Sequence, residues 1–284
     1  MIRYSYLGPG TFSEEASRNL FGSLDTEAVA CKHIADVFGA ILDGRVEYAV
    51  VPIENTIEGS VSLHLDWLVH EVDIPIQAEW EYPISMNLLG LGKEDSLSRI
   101  RKVISHSVAY TQCRTFLREV IPQAEFEAAS STAEGARIVK ELGDPEVAAI
   151  GVASAASLYG LNMIVPNVQD HQNNYTRFVV IGNKPLPEGL PREPVKWKTT
   201  ILVIPPEDVP GSLHQVLSAF AWRRINLSKL ESRPTKKKLG NYYFYIDIEA
   251  ALDEVLLPAA FSEIQALGCQ VRLMGSYPAY GSGV

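Results

Sequence analysis

The chain has 284 residues, of which 46% are hydrophobic and 21% are charged. This balance is typical of a protein with apolar cores, and it excludes a disordered, collagen-like or disulfide-stapled chain. A formal net charge of −9 argues against binding nucleic acid by charge alone. The length predicts two or three domains.

The charge is divided unevenly along the chain. Residues 1–182 carry a net charge of −11 and residues 183–284 a net charge of +2. Four prolines between residues 184 and 197 exclude regular helix there and favour an extended connector. We therefore predict a first domain over 1–182, a Pro-rich linker over 183–198 and a second domain over 199–284.

The cysteines and the apolar runs indicate a cellular compartment. Cys31, Cys113 and Cys269 are far apart, and an odd count argues against a disulfide framework. The first residues lack the apolar core of a signal peptide, and no apolar run is long enough to span a bilayer. We expect a soluble, reduced, cytoplasmic protein without a membrane partner.

The first domain alternates short apolar runs with segments of helical periodicity. Strands are predicted over 2–7, 46–51, 103–104, 147–152 and 178–181. Helices are predicted over 13–20, 34–42, 60–70, 107–120 and 131–142. Strands that alternate with helices predict parallel sheets covered on both faces, with ligands bound beyond the carboxyl ends of the strands.

The second domain has a different order of elements. Strands are predicted over 199–204, 226–232, 241–248 and 269–273, and helices over 212–222 and 255–267. The order βαββαβ is the ferredoxin-like arrangement, an antiparallel sheet with two helices on one face. Residues 236–238 are three lysines that fit a hairpin turn. A nucleic-acid patch is the alternative, disfavoured because no stacking aromatics are interleaved with them.

Metal and nucleotide chemistry have little support in the sequence. His64 and His70 are six residues apart, the wrong spacing for two ligands on one helical face. The segment Gly8-Pro9-Gly10-Thr11 lies between a predicted strand and a predicted helix, but it is neither a dinucleotide fingerprint nor a Walker loop. Its simplest interpretation is a tight turn, and an anion site at the helix N-terminus is the alternative.

Two loops that follow predicted strands are unusually polar. In the first, Thr56 or Ser60 can cap the next helix, whereas capping does not explain Asn55. The second contains Ser105 and His106. A serine there can be an N-cap, and the histidine is either a general acid or a hydrogen-bonded structural group.

The segment 173–178 enters an apolar strand and reads Asn-Asn-Tyr-Thr-Arg-Phe. A Thr-Arg pair beside a phenylalanine suits a carboxylate next to a ring, because the guanidinium presents a planar fork of donors. An arginine of an edge strand that faces solvent is the alternative.

In combination, the chain resembles bacterial prephenate dehydratase with a C-terminal ACT regulatory domain, over nearly its whole length. The resemblance rests on six motifs in order: Leu7-Gly8-Pro9-Gly10-Thr11-Phe12-Ser13, Pro52-Ile53-Glu54-Asn55-Thr56 with Gly59-Ser60, Ser105-His106 with Gln112-Cys113, Ser131-Thr132, Asn174-Tyr175-Thr176-Arg177-Phe178 and Glu231-Ser232-Arg233-Pro234. The chain departs from the family pattern twice. Its first loop is one residue shorter between Pro9 and Gly10, and Ser212 stands where the family usually has alanine.

The resemblance implies an α/β catalytic domain of two lobes, like a periplasmic binding protein, and a ferredoxin-like ACT domain. Lobe one would comprise 1–77 and 165–182, and lobe two 78–164, with the site between them. The implied activity is that of a carbon-oxygen lyase without metal or cofactor, which converts prephenate to phenylpyruvate, CO2 and water in L-phenylalanine biosynthesis. Aromatisation drives this reaction, so the protein must mainly orient a dianion and assist the leaving hydroxyl.

The resemblance also implies residue roles. Thr176 would donate a hydrogen bond to the leaving hydroxyl ahead of His106, Arg177 would bind a substrate carboxylate and Phe178 would shape the ring pocket. Further substrate-binding residues would be Thr11, Asn55, Ser105, Gln112, Ser131 and Thr132. Phenylalanine would inhibit a homodimer or homotetramer by binding at Gly211, Ser212, Leu213, Asn226, Leu227, Glu231, Ser232, Arg233 and Pro234.

Two other functions compete with this one. The first is the same chemistry on arogenate, and the second is a non-catalytic, two-lobed small-molecule sensor. The Thr176-Arg177-Phe178 motif disfavours the sensor, because pure binding needs no donor aimed at a leaving group. Since the first domain is acidic, we expect local donors rather than long-range attraction to capture the substrate, and salt to weaken capture little.

Overall fold

A computed structural model describes residues 1–191, 193–207, 210–236, 242–252 and 255–281, apart from the side chains of 94 and 95. Contacts along the chain divide it into two compact units. Unit 1 comprises residues 1–61 and 82–178, and unit 2 comprises residues 62–81 and 179–284. Lys237, Lys238 and Gly240 of the predicted hairpin, and Asn241 of the predicted strand, lie outside the described residues.

The described elements alternate between strand and helix through most of the chain. Those before residue 183 are β1 (Ile2–Leu7), α1 (Phe12–Phe21), β2 (Thr26–Cys31), α2 (Ile34–Leu42), β3 (Tyr48–Asn55), β4 (Gly59–Ser60), α3 (Ser62–His70), β5 (Ile76–Pro83), β6 (Asn87–Gly90), a 3-10 helix (Glu94–Arg99), β7 (Lys102–Ser105), α4 (Ser107–Gln112), α5 (Arg114–Val120), β8 (Glu125–Ala128), α6 (Thr132–Leu142), β9 (Val147–Gly151), α7 (Ala153–Tyr159), β10 (Asn162–Val165) and β11 (Tyr175–Gly182). The later elements are β12 (Lys196–Ile204), α8 (Ser212–Ala221), β13 (Leu227–Pro234), β14 (Tyr242–Ile248), α9 (Leu256–Ala266) and β15 (Gln270–Tyr280).

Unit 1 contains parallel strand pairs, as predicted, but not only parallel ones. Strand β1 pairs in parallel with β2 and β3, and β7 pairs in parallel with β8 and β9. Strands β6 and β10 run antiparallel beside them, in a sheet of order β10-β6-β9-β7-β8. The predicted parallel pairing is therefore present, and the sheet of residues 87–165 is mixed.

The predicted helix over 107–120 is two helices, α4 and α5, which meet at Cys113. The carboxylate of Asp170 accepts from the backbone N–H groups of Thr115, at 3.0 and 3.1 Å, and of Phe116, at 3.3 Å. An acceptor from a distant part of the chain thus takes N–H groups at the start of α5, so a second helix begins there. Helix α3 also begins two residues later than predicted, because Gly59 and Ser60 pair with the end of β3.

Unit 2 confirms the ferredoxin-like prediction. Strands β13, β14, β12 and β15 follow one another in an antiparallel sheet, with the element order βαββαβ. Apolar side chains of α8 and α9 pack with those of β12 and β14 in one core. Strand β5 of the earlier chain segment joins the same sheet through parallel pairing with the end of β15. Beneath it, Lys198 and Glu79 form a buried ion pair, each at most 3% exposed.

Candidate active site and effector cavity

The side-chain amide of Asn55 is fixed in one orientation. Its Oδ1 accepts from the backbone N–H groups of Ile57, at 2.9 Å, and Glu58, at 3.1 Å. Both partners can only donate, so the oxygen must face them and the NH2 group must face the other way. The loop after β3 thereby determines where the two amide protons of Asn55 point.

These amide protons are directed at residues that enter β11. Asn55 Nδ2 lies 2.8 Å from Asn174 Oδ1, 3.0 Å from Thr176 Oγ1 and 3.1 Å from the carbonyl oxygen of Tyr175, so its two protons are shared among three acceptors. Because the hydroxyl oxygen of Thr176 accepts here, its own proton is left to donate elsewhere. Within the described part of the chain, no group accepts that proton. The sequence analysis placed Asn55 and Thr176 in one site, and the structure brings them into contact.

The same network extends to the end of α4. Asn174 Nδ2 donates to Gln112 Oε1 at 2.8 Å, and Gln112 Nε2 donates to Glu58 Oε1 at 3.2 Å. Asn174 is 1% exposed and Gln112 is 6% exposed, so these amides are held inside the unit. Gln112 was predicted for the site, whereas the roles of Asn174 and Glu58 were missed. Asn55 accepts from Ile57 two residues on, the spacing of an Asx turn, so the turn is visible in the sequence, whereas no local signal connects Glu58 with Gln112.

Arg177 makes a different set of contacts from Thr176. Its Nε lies 3.2 Å from Oε2 of Glu54, and its side chain is 9% exposed. Neighbouring residues of a strand extend to opposite faces, and the contacts follow that alternation. Asn55 meets Thr176, whereas Glu54 meets Arg177. The structure therefore does not bring Arg177 into the Asn55 network, and its binding of a substrate carboxylate stays a prediction.

Four of the predicted site residues have structural contacts: three bond backbone groups through their hydroxyls, and one packs in the core. Thr11 caps α1, accepting from Glu14 N at 3.3 Å and donating to the carbonyl of Leu7. Ser131 caps α6, as its spacing predicted, by accepting from Glu134 N at 3.0 Å. The hydroxyl of Ser105 is fully buried and donates to the carbonyl of Ile150. Phe178 is 1% exposed and belongs to the core.

The contacts of Gly10 and His106 bear on two alternatives that the sequence left open. These are an anion site in the first loop, and the choice between a general acid and a structural group for His106. Gly10 N donates to Glu14 Oε2 at 2.7 Å, and Glu14 is 5% exposed. A buried carboxylate of the chain itself therefore takes the backbone donor that an external anion would need. Thr132 is the first residue of α6, and His106 caps α4 by accepting from Val108 N at 3.4 Å through Nδ1.

Unit 2 contains a cavity of about 1110 Å3. Four of the predicted effector residues line it: Gly211, Ser212, Leu213 and Ser232. Its wall also includes Val69 and His70 of α3, and Thr235 and Arg272. The sequence analysis did not assign this second group to the effector site.

The other predicted effector residues form contacts within unit 2. Arg233 donates through Nε to Asp66 Oδ1 at 2.9 Å and through Nη1 to Glu231 Oε1 at 2.7 Å. Burial raises the pKa of Asp66, but hydrogen bonds from Lys236 and Arg233 outweigh burial and bring that pKa below its usual value.

Three predicted effector residues lie beside these contacts. Asn226 donates to Glu249 at 2.6 Å, Leu227 packs on the core of the unit, and Pro234 ends β13. Their roles toward an effector stay predictions.

The comparisons with known proteins agree with this architecture. Residues 4–186 match the family model for prephenate dehydratase, and residues 199–265 match that for the ACT domain. The chain is 42% identical to a prephenate dehydratase of Bacillus subtilis, over 98% of this chain and 99% of that protein. No helix in the described part of the chain is both long enough and apolar enough to cross a bilayer.

Two solved structures share the fold over 98% of this chain. One is a prephenate dehydratase from Arthrobacter aurescens in complex with L-Phe, with 33% identity, a TM-score of 0.84 and 90% of that chain covered. The other is named GqqA, a novel type of quorum-quenching acylase, with 28% identity, a TM-score of 0.82 and 98% of that chain covered. Fold and site thus define an α/β enzyme with an appended ACT domain. By sequence and structure the chain belongs to the prephenate dehydratase family.

Proposed function

We propose that the chain converts prephenate to phenylpyruvate, CO2 and water on the route to L-phenylalanine. The bond between the ring and its carboxylate breaks, and the electron pair of that bond enters the ring. The bond between the ring and its hydroxyl breaks, and the hydroxide leaves with a proton as water. The aromatic product supplies the driving force, so the protein must position the dianion and assist the leaving group.

The observation that carries this proposal is the orientation of the Asn55 amide. Its NH2 group donates to Thr176 Oγ1 at 3.0 Å, so the hydroxyl oxygen acts as an acceptor and its proton is available to donate. A threonine is a poor acid, and its role is to hydrogen-bond the departing oxygen as negative charge develops there. The proton that completes the water comes from solvent, directly or by relay through this hydroxyl.

We assign the site to the first domain, over 1–182 with the two lobes implied by the family resemblance. Arg177 is the candidate for a substrate carboxylate, because a guanidinium presents a planar fork of donors. If it takes this role, the carboxylate competes with Glu54 for the guanidinium. Change of Arg177 to lysine should then raise KM more than it lowers kcat.

We also propose that phenylalanine inhibits the enzyme by binding to the domain over 199–284, beyond the linker 183–198. The cavity beside Gly211, Ser212, Leu213 and Ser232 supports this assignment. The relative from Arthrobacter aurescens, solved with L-Phe, supports the choice of effector. We further propose a cytoplasmic homodimer or homotetramer.

The test is incubation of the purified chain with prephenate, followed by measurement of phenylpyruvate with and without phenylalanine. We expect turnover that phenylalanine suppresses. Binding of prephenate without product would support the sensor alternative instead. A higher kcat/KM for arogenate than for prephenate would reassign the substrate. Turnover that is unaffected by saturating phenylalanine would reject the regulatory part alone.

A further inference from the structure

The effector cavity has a wall that does not come from the ACT segment. Val69 and His70 lie at the end of α3, far in sequence from the residues 199–265 that match the ACT family model. The same cavity is lined by Ser212 and Leu213 at the start of α8. The cavity is therefore lined by two separate segments of the chain.

The cavity wall contains buried polar atoms that lack hydrogen bonds among the described residues, the hydroxyl of Tyr243 among them. His70 Nε2 and Thr235 Oγ1 are buried, and neither has a partner among the described residues. Buried polar side-chain atoms nearly always have a hydrogen-bond partner, so these atoms bind a polar group, which water or a polar ligand entering the cavity can supply. An apolar ligand would leave both of them unsatisfied.

The imidazole of His70 is held in place and neutral. Its ring packs edge-on against Tyr243, with the ring centroids 5.4 Å apart and the planes at 75°. Burial lowers the pKa of His70, nearby Lys236 lowers it further, and Asp66 and Glu71 only oppose this in part. A neutral imidazole has one donating and one accepting nitrogen, and either can serve the head of an amino acid, which carries an ammonium and a carboxylate.

The rest of the wall suits the side chain of an aromatic amino acid. Leu202, Leu213 and Phe244 provide apolar surface on the same cavity. Arg272, which donates to the carbonyl of Leu68 at 3.0 Å, adds a positive charge near the end of α3. This wall combines a polar end, a cation and apolar surface, which are the groups that recognise an amino acid with a large side chain.

We propose that His70 is a direct ligand of the effector and that α3 is part of the effector site, together with Thr235. This inference rests on the proposed inhibition by phenylalanine and names a residue that contacts it. Its consequence follows from chain order. Helix α3 begins at Ser62, two residues after β4, and β4 follows the loop of Asn55 and Glu58. An effector that binds His70 thus contacts the last residue of the helix that follows the loop of Asn55 and Glu58.

The experiment is calorimetric titration of the full chain with L-phenylalanine. His70→Phe keeps an aromatic ring but removes the ring nitrogens, and we expect Kd to rise at least about tenfold. His70→Gln keeps a hydrogen-bonding group and should recover part of the loss. Thr235→Val, an isosteric change, should weaken binding independently. Glu71→Gln is the control, because Glu71 is exposed, follows His70 directly and does not line the cavity.

Each outcome decides the inference. Thermal unfolding without phenylalanine shows whether a variant is folded. If His70→Phe does not fold, the conservative Thr235→Val change still tests the same cavity. Wild-type affinity in both His70→Phe and Thr235→Val would overturn the role of these residues while the proposed regulation stands. A wild-type chain that binds no phenylalanine would instead contradict the regulation, and the role of His70 with it.

Discussion

The Asn55 network and the effector cavity contain similar polar groups, but they differ in whether those groups have hydrogen-bond partners. In the network, Asn55, Asn174 and Gln112 satisfy one another, and Thr176 accepts from Asn55, so that its own proton remains available to donate. In the cavity, His70 Nε2 and Thr235 Oγ1 remain without partners among the described residues. The hydrogen bonds of the network are formed before substrate binds, as expected for a donor that stabilises a transition state. The unpaired atoms of the cavity gain partners when its ligand binds, as expected for a regulatory site.

The largest expected effect concerns the scaffold of the cavity. Lys198→Met leaves the buried carboxylate of Glu79 without its cation, and we expect a loss of about 3–5 kcal/mol in the free energy of unfolding. Urea denaturation measures it. The control is the double change Lys198→Met with Glu79→Leu, which removes both charges and should recover most of the loss. A single variant as stable as wild type would show that the pair contributes nothing to unit 2.

The second-largest expected effect is on kcat, from a substitution that disrupts the Asn55 network without unfolding the chain. Asn55→Asp keeps the oxygen that accepts from Ile57 and Glu58 but replaces the NH2 group by a second acceptor. Thr176 must then donate to this carboxylate, so its proton is no longer free for the substrate. We expect kcat to fall about 100-fold, in part because the new charge repels the dianion.

The thermal midpoint of Asn55→Asp serves as its folding control. Raising the salt concentration screens the added charge and separates the two contributions, since lost donation persists in high salt. A variant with wild-type kcat would mean that the orientation of Thr176 does not matter.

Packing between α6 and β7 should tolerate little extra volume. A Cβ at Gly135 of α6 would lie 2.7 Å from the carbonyl oxygen of Ile104, so Gly135→Ala should cost about 1–3 kcal/mol. Gly39 of α2 is the matched control. A Cβ there meets only the end of Arg45 at 4.0 Å, and Gly39→Ala should be neutral or stabilising by up to about 1 kcal/mol. Equal stabilities of the two variants would contradict the close approach of α6 to β7.

The smallest effect is dependent on pH. The pKa of Asp66 lies below its usual value of 3.8 because the hydrogen bonds from Lys236 and Arg233 outweigh burial, so the ionised form stabilises the folded chain. That contribution is present above pH 3.8 and is lost as pH falls through the lowered pKa. The thermal midpoint of wild type should exceed that of Asp66→Asn near neutral pH and approach it in acid. A difference that does not vary with pH would exclude this assignment.

The elements that depend on local patterns were predictable, and those that depend on distant partners were not. Apolar periodicity predicted α2 over its observed bounds, and the spacing from Ser131 to Glu134 predicted the start of α6. By contrast, β2 and β8 were missed because at least half of their residues are exposed and they carry no strong apolar pattern. The break at Cys113 was missed because it depends on Asp170.

The same distinction holds for the candidate site. Family resemblance grouped Asn55 with Thr176, which are 121 residues apart and which no local pattern connects. The partnership of Arg177 with Glu54 depends on which strands are neighbours, and strand order is not visible in one sequence. His70 was predicted to lie on a helix, but its position on the effector cavity follows only from how α3 packs within unit 2.

The central claim is that the hydroxyl proton of Thr176 assists the leaving group, and steady-state kinetics with prephenate test it most directly. Thr176→Val keeps the shape but removes the donor, and we expect kcat to fall by about 100- to 1000-fold with the fold intact. Thr176→Ser keeps the hydroxyl and should retain most of the activity. A valine variant with kcat near that of wild type would contradict the account, whatever the serine variant does.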